Sequence, residues 1–457
     1  MTMTTTSRLI GAAWRMSLLS LIALCAFALA AHGQSFSSGS DGSDGAFDLT
    51  GTASGSTVTF VPANFPGDQH NLNKFNFTSV VVPAGVTVRL SAKNINGPVY
   101  WLVSGDVDVE GTIDLSGQAG LPASQILDGR RRQLDAGVGG YSGGTGGNAN
   151  APLSPSQPVA QNGDGPGGGA AGSVCNPTSS GTYPPSGGTF SGDSFLVPLI
   201  GGSGGGGGLF FGNPSPYGAS GGAGGGALFI ASSTTITVNG TINANGGIGG
   251  NGGTTPTTTN SGCLGSYYAE GWGGGGSGGG IRLVANTIAG SGTVTALGGS
   301  TATVIFPLNP QVFPQTNGGN GVVRIEAFTD SFTGTISGVQ STGTPNSAFL
   351  LLPSTPPPSV NVVSVNSAPI PASPTASLTT PDATINTSSP VTITVQASYI
   401  PVGTVLTLQV FSDNNTDQTV QTTALAGTLQ SSTATATVTF PSGYALNYVK
   451  ATWSMTN

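Results

Sequence analysis

Three carboxylates alternate with valines in one short segment of the chain. Asp106, Asp108 and Glu110 occupy every second position, which in a β-strand places them on one face, roughly 6.5 to 7 Å apart along the strand. Asp114 lies beyond them in the same alternating segment. This separation suits a glycosidase acid/base pair and also oxygen ligation of Ca²⁺. We expect a solvated outer face, with Ca²⁺ binding and carbohydrate cleavage as alternatives, and no other cofactor.

Aromatic side chains within glycine-rich stretches are a second candidate binding group. Exposed rings could stack on sugar rings, whereas buried rings could cap the stack of strands. We expect capping and keep sugar binding as the alternative. The residues in question are Tyr183, Tyr217, Tyr267, Tyr268 and Trp272, of which Tyr267, Tyr268 and Trp272 are the candidate carbohydrate contacts.

Common catalytic motifs are either incomplete in this sequence or explained by its composition. The Gly-x-Ser-x-Gly pattern occurs at Ser142, Ser203, Ser220 and Ser277, but glycine-rich composition alone produces such matches and no strand-turn-helix context surrounds them. Outside the N-terminal leader the only histidine is His70, which we expect in a surface loop. No lysine follows a glycine, as a phosphate-binding loop requires, and histidine ligands for zinc are lacking. We therefore assign no catalytic residue and expect no catalytic activity.

The N-terminus has the pattern of a secretory signal peptide. Arg8 and Arg15 precede an apolar run over 16–31, and a small-x-small site ends at Gly33. The run is shorter than the roughly 20 residues that span a bilayer. Residues 1–33 are therefore predicted to be a signal peptide, and the mature chain to be secreted or held at the cell surface without a transmembrane anchor.

The charge of the chain excludes one class of partner. The net charge is −7, and removal of the leader would take away two arginines and no acidic residue. The one basic cluster, Arg130 to Arg132, is flanked by Asp128 and Asp135. Nucleic acids require a basic footprint, so we expect none as a partner. Polysaccharide or cell-envelope components remain candidates.

Two further features concern the predicted mature chain. Cys175 and Cys263 are its only cysteines, and in an oxidising compartment we predict that they form a disulfide. Near its N-terminus, Asp41, Asp44 and Asp48 form an acidic group that we expect to be a disordered start rather than a metal loop.

Composition predicts an all-β protein. The chain holds 76 glycines and 31 prolines, and only 6% of its residues are charged, against about 25% in ordinary soluble domains. Long solvated helices and coiled coils need more charge than this. A strict Gly-X-Y period is absent, which excludes collagen.

One short pattern recurs along residues 34–350. An alternating apolar segment leads into Gly-Thr-Ile or Gly-Thr-Val, and a second alternation then ends in a glycine turn. The motif begins at Gly111, Gly240, Gly292 and Gly334. Short strands that cannot bury their own faces gain a core by stacking, so we predict an irregular right-handed β-helix, or β-solenoid, with glycine-rich insertions. Changes of phase within the third and fourth copies predict a bulge or a corner. A β-sandwich with long insertions is the structural alternative.

The glycine-rich stretches allow two interpretations. They could be flexible loops, or they could pack at backbone distance as polyproline II bundles do. They include 137–147, 201–208, 221–226, 246–253 and 273–280.

Composition changes near residue 350. Residues 351–360 contain a run of prolines typical of a stiff linker. Residues 361–457 contain five alternating segments separated by turn sequences, which predicts an immunoglobulin-like β-sandwich without the cysteine pair of antibody domains.

The leader, the Ser-Asp-Gly start at 40–45, the turn at 82–88, the Gly-Thr units and the C-terminal segment 400–404 together resemble large glycine-rich secreted or surface proteins of bacteria. The resemblance implies an envelope or extracellular role and supplies no catalytic residues. We expect a structural or adhesion-type protein, with an extracellular carbohydrate-binding or polysaccharide-degrading β-helix protein as the alternative. Ice binding by a row of Thr235, Thr237 and Thr241 is a third hypothesis.

Overall fold

The computed structural model divides the chain into two compact units, Met1–Phe36 and Ser37–Asn457. It describes residues 35–123, 134–148, 159–174, 182–210, 218–252, 271–301, 316–346, 352–371, 374, 380–412, 417–440 and 447–453. All elements below lie in the second unit. The predicted leader, both cysteines, Tyr217, Tyr267, Tyr268 and the basic cluster lie outside the described residues.

The described chain is all-β, as composition predicted. Its helical residues form two 3-10 turns, η1 (Pro62–Asn64) and η2 (His70–Leu72). Among these described residues no helix has the length and apolar character needed to cross a membrane. The strands are β1 (Gly45–Asp48), β2 (Thr57–Thr59), β3 (Lys74–Val82), β4 (Thr87–Arg89), β5 (Val99–Val103), β6 (Val107–Val109), β7 (Thr112–Asp114), β8 (Gly147–Asn148), β9 (Ser173–Val174), β10 (Thr182–Tyr183), β11 (Leu209–Phe210), β12 (Ala227–Val238), β13 (Thr241–Asn243), β14 (Gly280–Gly290), β15 (Thr293–Thr295), β16 (Val322–Phe332), β17 (Thr335–Ser337), β18 (Val339–Gly343), β19 (Ser359–Val365), β20 (Ala368–Pro369), β21 (Val391–Ser398), β22 (Val405–Ser412), β23 (Gln418–Ala424), β24 (Ala426–Gly427), β25 (Ser432–Val438) and β26 (Asn447–Thr452).

Two parallel sheets are built from strands that alternate along the chain. The first sheet has the order β1-β3-β5-β12-β14-β16-β18, with β6 pairing β3 and β12, and the second has the order β2-β4-β7-β13-β15-β17. Each long strand of the first sheet from β12 onward is followed at once by a short strand of the second. Successive passes of the chain therefore stack one on another in the same direction.

A glycine marks the corner between the two sheets in each pass. A side chain on Gly240 would overlap the carbonyl oxygen of Gly111, and one on Gly292 would overlap that of Gly240. The amides of the following threonines bond to the corner below: Thr241 N donates to Gly111 O at 2.8 Å, and Thr293 N donates to Gly240 O at 2.8 Å. The predicted Gly-Thr motifs are therefore stacked in register.

The apolar side chains between the two sheets form one core. The alternating positions predicted for it are buried, including Trp101, Ile113, Ile230, Ile242 and Ile281. Six aromatic rings close the β1 end: Phe47, Phe60, Phe65, Phe75, Phe77 and Trp101. The irregularity predicted from the change of phase lies between β12 and β14, where Ser232 pairs Ala285 but Thr235 pairs Thr287.

The glycine-rich segments that the structure describes are packed against each other. Within 201–208, every third amide donates a hydrogen bond to the same neighbouring segment. The bonds run from Gly202 to Gly225, from Gly205 to Gly222 and from Gly208 to Ala219. The amides of 204 and 207 donate instead to a second segment, at 164 and 161. A period of three residues per turn with separate neighbours is that of polyproline II helices. Of the two interpretations, the packed one is confirmed for these residues.

The C-terminal part forms two antiparallel sheets over one core. Their strand orders are β20-β19-β21-β25-β24 and β23-β22-β26. Alternate side chains from both sheets are buried together, among them Ile393, Val395, Leu408 and Val438. The Lys450 ammonium pairs with Asp164, which lies in a glycine-rich segment, so an ion pair joins this part to the preceding one.

Candidate functional site

The carboxylate row lies on the outer face of the first sheet. Strand β6 sits between β3 and β12, so that Asp108 pairs with Val81 on one side and Thr237 on the other. The two flanking carboxylates bond to the next pass of the chain: Thr234 Oγ1 donates to Asp106 at 2.6 Å, and Asn239 Nδ2 donates to Glu110 at 2.7 Å. These two carboxylates therefore brace neighbouring passes of the chain.

Asp108 is the least satisfied member of the row. Its Oδ1 atom is buried and has no hydrogen-bond partner among the described residues. Burial raises the pKa of this carboxyl, and the nearby charges of Glu110 and Asp106 raise it further. The row thus holds one carboxyl that resists ionisation between two that are hydrogen-bonded.

Asp114 does not join the row. It lies on β7 in the second sheet, beyond the corner at Gly111, and its Oδ2 pairs with Arg89 Nη1 at 2.9 Å. Its Oδ1 accepts a hydrogen bond from the amide of Ser116. The alternation in the sequence continues through the corner, which is why sequence placed all four carboxylates together. Within the described residues, no three His, Cys, Asp or Glu side chains form a group that could hold a metal ion.

Of the three aromatic candidates for carbohydrate contact, the structure describes Trp272. Trp272 is only 5% exposed, so its ring is not available to stack on a sugar, in keeping with the capping interpretation. It is surrounded by glycine-rich backbone, including Gly208, whose added side chain would overlap the carbonyl oxygen of Trp272. Tyr267 and Tyr268 lie outside the described residues, as does the predicted pair Cys175 and Cys263.

One regular array on the second sheet was missed by sequence reasoning. All six strands carry a threonine at the same register position, facing away from the core: Thr57, Thr87, Thr112, Thr241, Thr293 and Thr335. We call this set the threonine ladder. Four of its members are the threonines of the Gly-Thr motifs, so the motif itself carried the signal.

The ladder is open to solvent and has no internal partners. Thr57 and Thr335 at its ends are exposed, and the four between them are half-buried by their neighbours in the row. Within the described chain none of the six hydroxyls makes a hydrogen bond, whereas in the adjacent row Thr295 donates to Asn245 and Arg89 pairs with Asp114. The ladder hydroxyls are therefore available to water or a ligand.

The threonine row that the sequence predicted is not continuous. Thr235 and Thr237 lie on β12 in the first sheet, while Thr241 lies on β13 in the second. The corner at Asn239 and Gly240 separates them, so they do not share a face.

Comparison of the chain with protein-family models, with curated proteins and with solved structures finds no match.

The sole histidine outside the leader takes part in a structural contact. His70 Nε2 lies 2.7 Å from Asp44 Oδ1, and the ring stacks on Phe75. Asp44 also accepts hydrogen bonds from the amides of Gly67 and Asn76, and its side chain is almost fully buried. The expectation of a disordered acidic start was wrong at Asp44, because its carboxylate ties the chain before β1 to η2 and β3. His70 lies on the turn η2, with its side chain 16% exposed.

A buried ionic cluster lies on the outer face of the first sheet. Arg282 Nε and Arg324 Nε both donate to Glu326 Oε1, at 2.8 and 2.7 Å. The guanidinium of Arg282 lies over the ring of Phe229, and that of Arg324 over Phe195. One carboxylate thus serves two buried cations, an arrangement that sequence alone did not indicate because Arg282 lies on β14, whereas Arg324 and Glu326 lie on β16.

Proposed function

We propose that this chain is an exported structural protein of the cell surface or extracellular space, without catalytic activity. In this proposal the two parallel sheets and the glycine-rich segments form an irregular right-handed β-helix. The two antiparallel sheets form an immunoglobulin-like module that acts as a spacer or docking domain.

The parallel register of β12, β14 and β16 carries the proposal. These strands pair over most of their length, from Ala227, Gly280 and Val322 onward, and each is followed by a strand of the second sheet. The glycine-rich segment 201–208 adds hydrogen bonds, in which every third amide donates to the same neighbouring segment. Such a stack is stiff, and it displays whatever side chains its outer faces carry.

The polar groups on these outer faces form hydrogen bonds and ion pairs within the stack of strands. Asp106 and Glu110 bond to the adjacent pass, Asp114 pairs with Arg89, and Glu326 pairs with two arginines. This use of carboxylates supports a structural role over polysaccharide cleavage.

Export is tested by expressing the whole gene product in a bacterium and analysing the culture medium and cell surface. We expect a mature chain that begins at Gln34, identified by N-terminal sequencing. Retention of the uncleaved chain inside the cell would contradict the proposed location.

The structural role is tested by incubating the purified protein with a panel of insoluble polysaccharides, with Ca²⁺ and with chelator. We expect neither depletion of the protein from solution nor release of soluble sugars. Selective depletion would favour the carbohydrate-binding alternative, and release of oligosaccharides would favour the enzymatic one.

A further inference from the structure

The threonine ladder has a composition that strand formation alone does not require. Threonine is a good strand former, but so are valine, isoleucine and tyrosine. A row that crosses the first sheet near the same corner holds Val81, Asp108, Thr237, Ala289 and Ser331. Six threonines in six strands of the second sheet therefore indicate a constraint beyond the fold.

The geometry of the ladder is that of a regular, rigid array. Neighbouring parallel strands lie about 4.8 Å apart, so six strands repeat one hydroxyl and one methyl group over roughly 24 Å. Threonine is stiff at χ1 because it is branched at Cβ. An array whose side chains are already ordered loses little entropy when it binds another ordered surface.

The charge of this face limits the classes of partner that it can bind. The outward positions of the six short strands hold two charged side chains, Arg89 and Asp114. They pair with each other, and Arg89 also lies 3.5 Å from Asp135. The outward positions of these strands therefore carry no net charge, although the chain has a net charge of −7. A neutral face suits an uncharged partner and disfavours ionic polymers, nucleic acids and charged membranes.

We propose that the threonine ladder adsorbs to the surface of ice. The repeat of oxygen atoms along one axis of the ice lattice differs from the parallel strand spacing by only a few tenths of an ångström. The unpartnered hydroxyls of the ladder provide both donors and acceptors at this repeat, while their methyl groups sit between them. This binding activity goes beyond the structural role and can fail while that role stands.

The test is partition of the purified protein into slowly growing polycrystalline ice, measured as protein in the ice against protein in the remaining liquid. The wild-type protein is expected to be enriched in the ice. Thr241→Lys places a hydrated ammonium group in the middle of the ladder, and we expect this variant to lose the enrichment.

Thr287→Lys is the matched control. Thr287 is also a half-buried threonine on a parallel strand, but it lies on the outer face of the first sheet between Thr235 and Thr329. We expect this variant to be enriched like the wild type. Thr57→Lys, at the exposed end of the ladder, provides a second ladder variant with less risk to folding, and circular dichroism checks that each variant is folded.

Exclusion of the wild-type protein from ice would overturn the proposal. So would equal enrichment of the folded ladder variants and the wild type, or equal loss in Thr287→Lys and the ladder variants. Loss confined to the ladder variants would support it.

Discussion

Thr241 lies directly beside Thr112 in parallel register, although a long glycine-rich insertion separates them in the chain. The contact exists because the corner glycines that precede them, Gly240 and Gly111, stack one on the other. The same relationship repeats with Gly292 and Thr293 on the next strand. The register of the second sheet thus depends on corner residues that have no side chain.

Gly240→Ala should lower the free energy of unfolding by about 1 to 3 kcal/mol, the usual cost of overpacking. The new Cβ would overlap the carbonyl oxygen of Gly111, and that oxygen already accepts the amide of Thr241. Urea denaturation followed by circular dichroism measures the change. Gly51→Ala is the control, since open space surrounds Gly51, and equal losses in the two variants would contradict the stacked corner.

The amides of the segment 204–208 should exchange hydrogen much more slowly than the intrinsic rate. Each of the five donates a hydrogen bond to a neighbouring segment, and exchange from such amides requires local opening. Hydrogen exchange with mass spectrometry measures this, with the exposed turn at Ala84 and Gly85 as the internal reference. Exchange of the segment as fast as the reference turn would favour free loops.

Asp108→Asn should raise the free energy of unfolding at neutral pH. Because the pKa of Asp108 is raised in the folded state, the folded protein binds a proton more tightly than the unfolded chain, and stability falls as pH rises through the interval above 3.8. The substitution removes this loss, so its benefit should vanish below pH 3.8.

The measurement for Asp108 is the denaturation midpoint as a function of pH, and it is repeated with Ca²⁺ and with chelator. Asp114→Asn is the contrasting variant, because it removes a carboxylate that pairs with Arg89, and it should lower stability slightly at neutral pH. Loss of stability in Asp108→Asn at neutral pH would contradict the prediction. A dependence on Ca²⁺ that disappears in this variant would instead revive the metal hypothesis.

Glu326→Gln should lower the free energy of unfolding by about 3 to 5 kcal/mol, as breaking a buried ionic group does. The change removes the negative charge that the buried guanidinium groups of Arg282 and Arg324 share. Glu110→Gln, at an exposed corner, should change stability by no more than about 0.5 kcal/mol. Equal effects of the two substitutions in urea denaturation would show that the buried carboxylate contributes no more to stability than the exposed one.

Sequence patterning predicted much of the fold. Alternation of apolar residues identified the core positions of β5, β12 and β14, because a strand has a period of two residues. The recurring Gly-Thr motifs were visible in the sequence, and the structure places them at corners where a close backbone approach excludes a side chain. The location outside the cell, the disulfide and the absence of catalysis stay predictions.

The candidate sites were harder to predict for a specific reason. A period of two continues through a corner without a break in the pattern, so the sequence placed Asp114 with Asp108, and Thr241 with Thr237, although the chain turns between them. The interpretation of Trp272 depended on burial by glycine-rich segments distant in the chain.

By itself, the sequence determined which residues face inward, since this follows from the two-residue period of a strand. Only the tertiary structure decided which strands are neighbours. Insertions of unequal length separate the copies, so no fixed period reveals that Thr57, Thr112 and Thr293 belong to one row. Parallel hydrogen bonding between distant strands creates that row, together with the surface it presents.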